Sequence, residues 1–181
     1  MLSFRVISGQ YKGRRFQAPK NLPVRPTTDR AKEALFNILT HQLDWEQTHL
    51  LDLYAGTGSI SYEFLSRGGA HSTAVDNNRN CIHYIRDISQ QLELTIQAVQ
   101  CDVISFLEKN KQPYDWVFMD PPFSLPLSHF SQAIALILKS DWFEKGLLVV
   151  EHPPGMAWEG EMFWVESRRY GGSHFSFFSK E

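Results

Sequence analysis

Four aspartates that each follow a short, mostly apolar run constrain the fold of this chain more than any other feature. They are Asp52, Asp76, Asp102 and Asp120, with separations of 24, 26 and 18 residues. Such separations suit a strand, a helix and a return strand in a parallel sheet. Open α/β sheets bind ligands at the carboxyl ends of their strands, so we expect the four carboxylates to line a binding edge. Taken singly, Asp76 and Asp102 could instead be helix caps, and Asp52 a solvated strand end.

Hydrophobic patterning supplies the remaining elements of an α/β domain. Sheet strands are predicted near residues 49–53, 71–76, 95–100, 115–119 and 146–151. Helices are predicted near residues 28–43, 58–67, 78–92, 103–110 and 126–140. Segments 162–167 and 174–179 predict two strands around Gly171 that form an antiparallel edge. A small β-hairpin is predicted from strands near 4–8 and 14–17.

A glycine-rich turn follows the first sheet strand. The segment Asp52–Gly58 leads from that strand into a helical stretch and contains Ala55, Gly56 and Gly58. A strand, a tight turn and a helix in this order direct backbone N–H groups at a ligand. The dinucleotide fingerprint would require a third glycine where this chain has Ser61. The turn therefore favours a nucleoside without phosphates, of which S-adenosylmethionine is the common one.

The tetrapeptide Asp120-Pro121-Pro122-Phe123 follows the apolar run 116–119. It holds a carboxylate, a backbone carbonyl and an aromatic ring on a turn that two prolines make stiff. These groups suit an exocyclic amine of a nucleobase. Pro-Pro also ends strands for structural reasons alone, so this motif indicates a site only together with the glycine-rich turn.

Positive charge is concentrated at the amino terminus. The formal net charge is −2, yet residues 1–32 carry eight basic residues against one acid, which leaves −9 for the rest. Lys12, Arg14 and Arg15 are the densest cluster and are candidates for phosphate contacts. A solvated tail is the alternative, although interleaved aromatic residues favour an ordered hairpin. The sequence has no apolar run of membrane-spanning length, no signal peptide and no metal-ligand spacing around its two cysteines.

These motifs resemble those of class I methyltransferases, and specifically of the RsmD family of bacterial 16S rRNA guanine-N2 methyltransferases. The resemblance rests on Asp52–Gly58 with Glu63 downstream, on Asp120–Phe123, and on the signature Arg25–Arg30, and it covers nearly the whole chain. It implies a Rossmann-like fold with a seven-stranded, mostly parallel sheet. It also implies methyl transfer from S-adenosyl-L-methionine to the exocyclic N2 amine of a guanine in small-subunit ribosomal RNA.

The resemblance assigns roles to individual residues. The implied cofactor-binding residues are Asp52, Ala55, Gly56 and Gly58 around the methionine part, Asp76 on the ribose, Asp102 and Val103 beside the adenine, and Thr28. The implied catalytic residues are Asp120, Pro121, Pro122 and Phe123. The expected RNA contacts are Lys12, Arg14, Arg15, Arg25 and Arg30. For Thr28 and Arg30, a helix cap and a surface charge are equally good interpretations.

The expected partner is ribosomal RNA, either free or in an assembled small-subunit particle. We expect a cytoplasmic monomer without membrane or metal, divided into an arm (1–27) and a Rossmann-like methyltransferase domain (28–181). Two alternatives stay open: the same chemistry on DNA adenine, DNA cytosine or a protein glutamine, and a non-catalytic RNA-binding module for ribosome assembly.

Overall fold

The computed structural model describes residues 2–19, 22 and 27–180. Arg25, a predicted RNA contact, lies outside the described residues. The strands are β1 (Leu2–Arg5), β2 (Arg15–Ala18), β3 (His49–Leu53), β4 (His71–Asp76), β5 (Ile96–Gln100), β6 (Trp116–Met119), β7 (Gly146–His152), β8 (Trp164–Tyr170) and β9 (Ser173–Lys180). The α-helices are α1 (Asp29–Leu39), α2 (Ser59–Ser66), α3 (Arg79–Gln91), α4 (Val103–Lys109) and α5 (Leu127–Lys139), and a 3-10 turn covers Trp45–Gln47.

Seven strands form one sheet in the order β5-β4-β3-β6-β7-β9-β8. The first five strands of that order run parallel, and β9 pairs antiparallel with both β7 and β8. The predicted fold class is confirmed, including the separate antiparallel hairpin of β1 and β2. The antiparallel part of the large sheet contains two strands, because β9 lies between β7 and the edge strand β8.

Helices cover both faces of this sheet because alternate strand residues point to opposite sides. Leu51 and Leu53 of β3 share a buried cluster with Val103 of α4 and Phe130 of α5. Leu50, from the same strand, belongs instead to a cluster with residues of α1 and α2. The strands between the helices therefore read as nearly continuous apolar runs, as expected for a parallel sheet buried on both faces.

Three predicted boundaries were wrong by three residues or more. Strand β8 ends at Tyr170 rather than at residue 167. Strand β1 ends at Arg5 rather than at residue 8, because the amides of Ile7 and Ser8 donate to the Glu63 carboxylate on α2 and not to a hairpin partner. Helix α1 ends at Leu39 rather than near residue 43. The Thr40 hydroxyl donates to the Phe36 carbonyl, and the chain then turns toward the 3-10 segment.

A buried polar cluster attaches the hairpin to the domain. The Glu63 carboxylate is fully buried and accepts from two hairpin amides at 2.7 and 3.1 Å and from Arg67 Nε at 2.7 Å. The Lys32 ammonium, from α1, lies 3.8 Å from Glu63 and donates to the Arg5 carbonyl at 2.6 Å. Burial lowers the pKa of Lys32, and the charge of Glu63 opposes that shift.

The hairpin also packs closely on helices α2 and α3. Phe4 and Phe16 share a buried cluster with Tyr62 and Tyr84. At the hairpin tip Gly9 has φ +82°, and a Cβ there would lie only 1.8 Å from the Ser66 carbonyl oxygen, so only glycine fits. The basic arm is thus an ordered part of the fold where it is described, while its division from the rest at residue 27 stays a prediction.

We predict that Glu63→Ala destabilises the protein by about 3–5 kcal/mol, because it leaves the Lys32 ammonium buried without its counter-charge. Denaturant unfolding measures this change. Glu33→Ala, at an exposed position of α1, is the matched control and should stay within about 0.5 kcal/mol of wild type. Equal stabilities of the two variants would contradict the anchoring role of Glu63.

Candidate active site

The turn after β3, residues 54–58 and here called the glycine turn, is compact and partly left-handed. Tyr54, Gly56 and Gly58 have φ values of +58°, +53° and +77°. Gly58 is the N-cap of α2, and a Cβ there would approach Tyr62 and Ile85 to 3.0 Å. The first N–H groups of a helix have no intrahelical partners, and Gly58 has no side chain to cap them. The Ser61 amide donates to Asp52, so the preceding amides of Ser59 and Ile60 are the ones that remain for a ligand at the carboxyl edge of the sheet.

Asp76 holds the glycine turn from the end of the neighbouring strand β4. Its Oδ2 accepts from the Gly56 amide at 2.9 Å, and its Oδ1 accepts from the Asn78 amide at 2.8 Å. A carboxylate offers about four lone-pair positions, so the half-buried Asp76 can still accept from vicinal hydroxyls. This arrangement fits the predicted ribose contact.

Asp52 lies beneath the glycine turn and not at its open side. It is 2% exposed, and its Oδ2 accepts from the Ser61 hydroxyl at 2.6 Å. Burial raises the pKa of Asp52 to about 7, while hydrogen bonds from Ser61 oppose the shift. The structure thus gives Asp52 a part in fixing the start of α2, and its predicted direct contact with the cofactor stays a prediction.

Asp102 and Val103 lie at the start of α4. Asp102 is the exposed N-cap of this helix, and its Oδ2 accepts from the Ser105 amide at 3.0 Å, whereas Val103 is buried. Asp102 is therefore a helix cap, which was the alternative interpretation of this residue. Its second carboxylate oxygen is still available to a ligand. Burial raises the pKa of the Tyr54 phenol, and the charge of Asp102 adds to this shift, so Asp102 lies near the glycine turn.

The proline motif forms a second turn, residues 120–126, here called the acceptor turn. The Asp120 amide donates to the carbonyl of Leu53 at 3.3 Å, which places this turn directly beside the glycine turn. Pro121 is buried, Pro122 is exposed, and the Leu125 amide donates to the Pro122 carbonyl at 2.9 Å. Phe123 is 39% exposed, an unusual position for a phenylalanine and a suitable one for stacking on a base.

The start of α1 also reaches this edge of the sheet. The Thr27 hydroxyl donates to Glu151 Oε2, near the end of β7, at 2.9 Å within a buried contact. Thr28 is exposed and caps α1 by accepting from the Ala31 amide at 3.2 Å. Arg30 is exposed in the first turn of the same helix. Both residues thus lie beside the candidate site. Thr28 is a helix cap, which was the alternative interpretation of this residue.

Lys12, Arg14 and Arg15 are not brought to this site. All three are exposed, and the hairpin tip that carries the first two contacts Ser66, at the C-terminal end of α2. The glycine turn lies at the opposite end of that helix. Eight helical residues span about 12 Å, so any phosphate contact of this cluster lies along the flank of the domain.

Tyr54 and His129 are site residues that sequence reasoning missed. The Tyr54 hydroxyl lies 2.6 Å from His129 Nε2 and joins the glycine turn to helix α5. No sequence signal links them, since the two side chains meet only when β3 and β6 are neighbours.

Among residues 2–19, 22 and 27–180, no three His, Cys, Asp or Glu side chains are placed to hold a metal ion. No helix in the same ranges has the length and apolar character needed to cross a bilayer.

Comparisons with known proteins agree with this geometry. A family model described as Conserved hypothetical protein 95 matches residues 4–179. Ribosomal RNA small subunit methyltransferase D of Escherichia coli K12 is 33% identical over 149 residues, which cover 81% of this chain and 73% of that protein. The solved Escherichia coli protein yhhF has a TM-score of 0.82 at 28% identity, with 99% of this chain and 98% of that chain covered.

A more distant solved structure has the same architecture. The 16S rRNA N2 G1207 methyltransferase RsmC of T. thermophilus, in complex with AdoMet and guanosine, gives a TM-score of 0.76 at 18% identity. The match covers 99% of this chain and 50% of RsmC, and at this identity it concerns the fold alone. The architecture is that of class I methyltransferases. Within that class, this chain belongs to the family of ribosomal RNA small subunit methyltransferase D, and the family predicted from its motifs is confirmed.

We predict that Asp52→Asn changes how stability depends on pH. The folded-state pKa of Asp52, about 7, exceeds the ordinary value of 3.8, so the folded state binds more protons between these values. The contribution of Asp52 to stability is therefore present below pH 4 and is lost as pH rises toward 7, by up to about 1.4 kcal/mol per pH unit.

Thermal unfolding of wild type and Asp52→Asn at pH 5, 6, 7 and 8 measures this dependence, since Asn mimics the neutral carboxyl group. The stability of the variant relative to wild type should rise with pH and level off above pH 7. A difference that does not change with pH would contradict the raised pKa.

Proposed function

We propose that this protein transfers a methyl group from S-adenosyl-L-methionine to the exocyclic N2 amine of a guanine in 16S ribosomal RNA. Membership in the methyltransferase D family supports the reaction, the cofactor and the RNA substrate. The observation that carries the proposal is the backbone hydrogen bond from Asp120 to Leu53, which sets the acceptor turn beside the glycine turn. A cofactor-binding motif and an amine-binding motif thereby share one edge of the sheet.

The glycine turn and the residues around it suit the cofactor. The N-terminus of α2, where Gly58 supplies no side-chain cap, and the half-buried Asp76 carboxylate offer donors and acceptors to its polar groups. Asp102 and Val103 offer a polar and an apolar contact at the end of the sheet for the adenine. When bound, S-adenosylmethionine supplies an electrophilic methyl group to the amine and leaves as S-adenosylhomocysteine.

The acceptor turn suits an aromatic amine. The lone pair of guanine N2 is delocalised into the ring, so hydrogen bonds from the amine to the Asp120 carboxylate and the Pro121 carbonyl are needed to localise it. As the new N–C bond forms, the nitrogen becomes cationic and releases one proton, for which Asp120 is the adjacent base. Phe123 stacks on the base, which has left its own stack to enter the site. The contribution of the protein is mainly positioning and electrostatics.

We predict that Asp120→Ala reduces methyl transfer about 100-fold or more, because the amine loses its charged acceptor and base. The assay follows labelled methyl groups from S-adenosylmethionine into 16S rRNA taken from cells that lack this enzyme. Calorimetry should find cofactor affinity unchanged within about threefold. Asp141→Ala, at an exposed position outside the site, is the control and should retain wild-type activity. Near-normal transfer by Asp120→Ala would remove Asp120 from the active site.

We also propose that Lys12, Arg14 and Arg15 hold RNA phosphates along the hairpin flank, with Arg30 nearer the site. Arg25, which lies outside the described residues, stays a predicted RNA contact. The support is the excess of +7 in residues 1–32 of a chain whose net charge is −2. A folded ribosomal RNA is large enough to contact both the carboxyl edge and the hairpin tip. Thr28 and Arg30 are candidates for closing over the cofactor or the extruded nucleotide.

Replacing Lys12, Arg14 and Arg15 with alanine should weaken RNA binding and flatten its salt dependence by about 0.7–0.9 log unit per lost contact. RNA affinity is measured against salt concentration. The matched control replaces three exposed lysines on the α4 and α5 side, Lys109, Lys111 and Lys139. If the two triple variants have the same slope, the hairpin does not bind the RNA backbone.

We infer that the protein works in the cytoplasm, where ribosomal RNA is made, and as a monomer, because one chain supplies both turns of the site. The substrate is proposed to be ribosomal RNA, either free or within an assembled small-subunit particle. Methylation assays on 16S rRNA and on isolated small subunits distinguish these two forms.

A further inference from the structure

We propose that Tyr54 and His129 are positioning residues that fix the acceptor turn relative to the glycine turn. This inference rests on the proposed methyl transfer and adds two residues to it. Tyr54 lies in the glycine turn, and His129 lies in the first turn of α5, immediately after the acceptor turn. Their hydrogen bond, 2.6 Å between the Tyr54 hydroxyl and His129 Nε2, is a side-chain link between the two segments.

Tyr54 and His129 are each close along the chain to the turn that they would hold in place. Tyr54 directly follows β3 and precedes Ala55 and Gly56. On the other side, the His129 amide donates to the Pro126 carbonyl at 2.9 Å, and the Leu125 amide closes the acceptor turn on Pro122. The position of the His129 ring is therefore transmitted to the acceptor turn through two backbone hydrogen bonds. The rings of Tyr54 and His129 also meet edge to face, with centroids 6.1 Å apart.

The Tyr54–His129 hydrogen bond can run in either direction, because the phenol hydroxyl and the imidazole nitrogen each donate or accept according to the tautomer. Burial, with the charge of Asp102 adding to it, raises the pKa of Tyr54, so the phenol keeps its proton and its capacity for this bond. A glutamine at position 129 could take the same role in either direction, because its side-chain amide has both an accepting oxygen and a donating NH2 group.

The backbone at Tyr54 supports a role beyond packing. Tyr54 is a non-glycine residue with φ +58°, a left-handed conformation that costs about 1–2 kcal/mol. Such conformations persist only where surrounding contacts enforce them, and they concentrate at functional sites. Here the strained backbone directs the phenol across the sheet edge to α5, where the hydrogen bond holds it.

Methyl transfer requires the amine and the reactive methyl group to be aligned, and a displacement of about 1 Å can cost about 100-fold in rate. The cofactor is proposed to lie on one of these turns and the amine on the other. A loss of the link should therefore lower kcat about 10-fold to 100-fold, while KM for the cofactor and for RNA changes little.

Four variants test the proposal: Tyr54→Phe, His129→Ala, the double variant, and His129→Gln. Kinetics of 16S rRNA methylation should give the same loss of kcat in both single variants and no further loss in the double variant. His129→Gln should recover most of the activity. Tyr114→Phe, which removes a phenol hydroxyl bonded to Gln112, is the control. Additive losses, an unchanged kcat, or a glutamine variant as slow as alanine would each overturn the proposal.

Hydrogen exchange tests the link without turnover. The amides of Ser124 and Leu125, in the acceptor turn, should exchange faster in Tyr54→Phe and His129→Ala than in wild type, and normally in Tyr114→Phe. Unchanged exchange in the first two variants would contradict the link. Absence of methyl transfer by wild-type protein would overturn the proposed function, and the exchange rates would still decide whether Tyr54 and His129 join the turns.

Discussion

The parallel pairing of β3 with both of its neighbours is the constraint on which the site depends. Leu53, the last residue of β3, is in register with Val75 of β4 and with Met119 of β6. Asp76 and Asp120 are the next residues after these partners, so both carboxylates emerge level with the glycine turn. A shift of one residue in either register would reverse which face each side chain points to. Register therefore places the cofactor and amine motifs side by side.

Helix α2 connects this edge with the basic hairpin. Its N-terminus forms the end of the glycine turn, Glu63 in its middle binds hairpin amides, and Ser66 at its end contacts the hairpin tip. Glu63, which belongs to a family motif, thus has a structural role. Its buried carboxylate accepts the amide hydrogen bonds of Ile7 and Ser8 that a hairpin strand would otherwise accept. The same helix that begins at the cofactor site positions the charged flank of the molecule.

The sequence predicted the fold well because its signals are local. Carboxylates at strand ends and the glycine turn fixed the order of strands and helices, and most boundaries agree with the structure within one or two residues. The end of β1 was misplaced because Glu63, 55 residues beyond Ser8, competes for its amides. Asp52 was expected at the binding edge or as a solvated strand end, and its burial was missed because the Ser61 hydroxyl that covers it lies on the following helix. The Tyr54–His129 contact likewise depends on tertiary packing across 75 residues.

The central claim is that the glycine turn and the acceptor turn form one site at the carboxyl edge of the sheet. A crystal structure of the protein with S-adenosylhomocysteine tests it most directly. The account predicts the ribose hydroxyls on the Asp76 carboxylate and the sulfur directed toward the turn that begins at Asp120. A ligand bound away from this edge, for example in the groove between α4 and α5 beside Trp142, would contradict it.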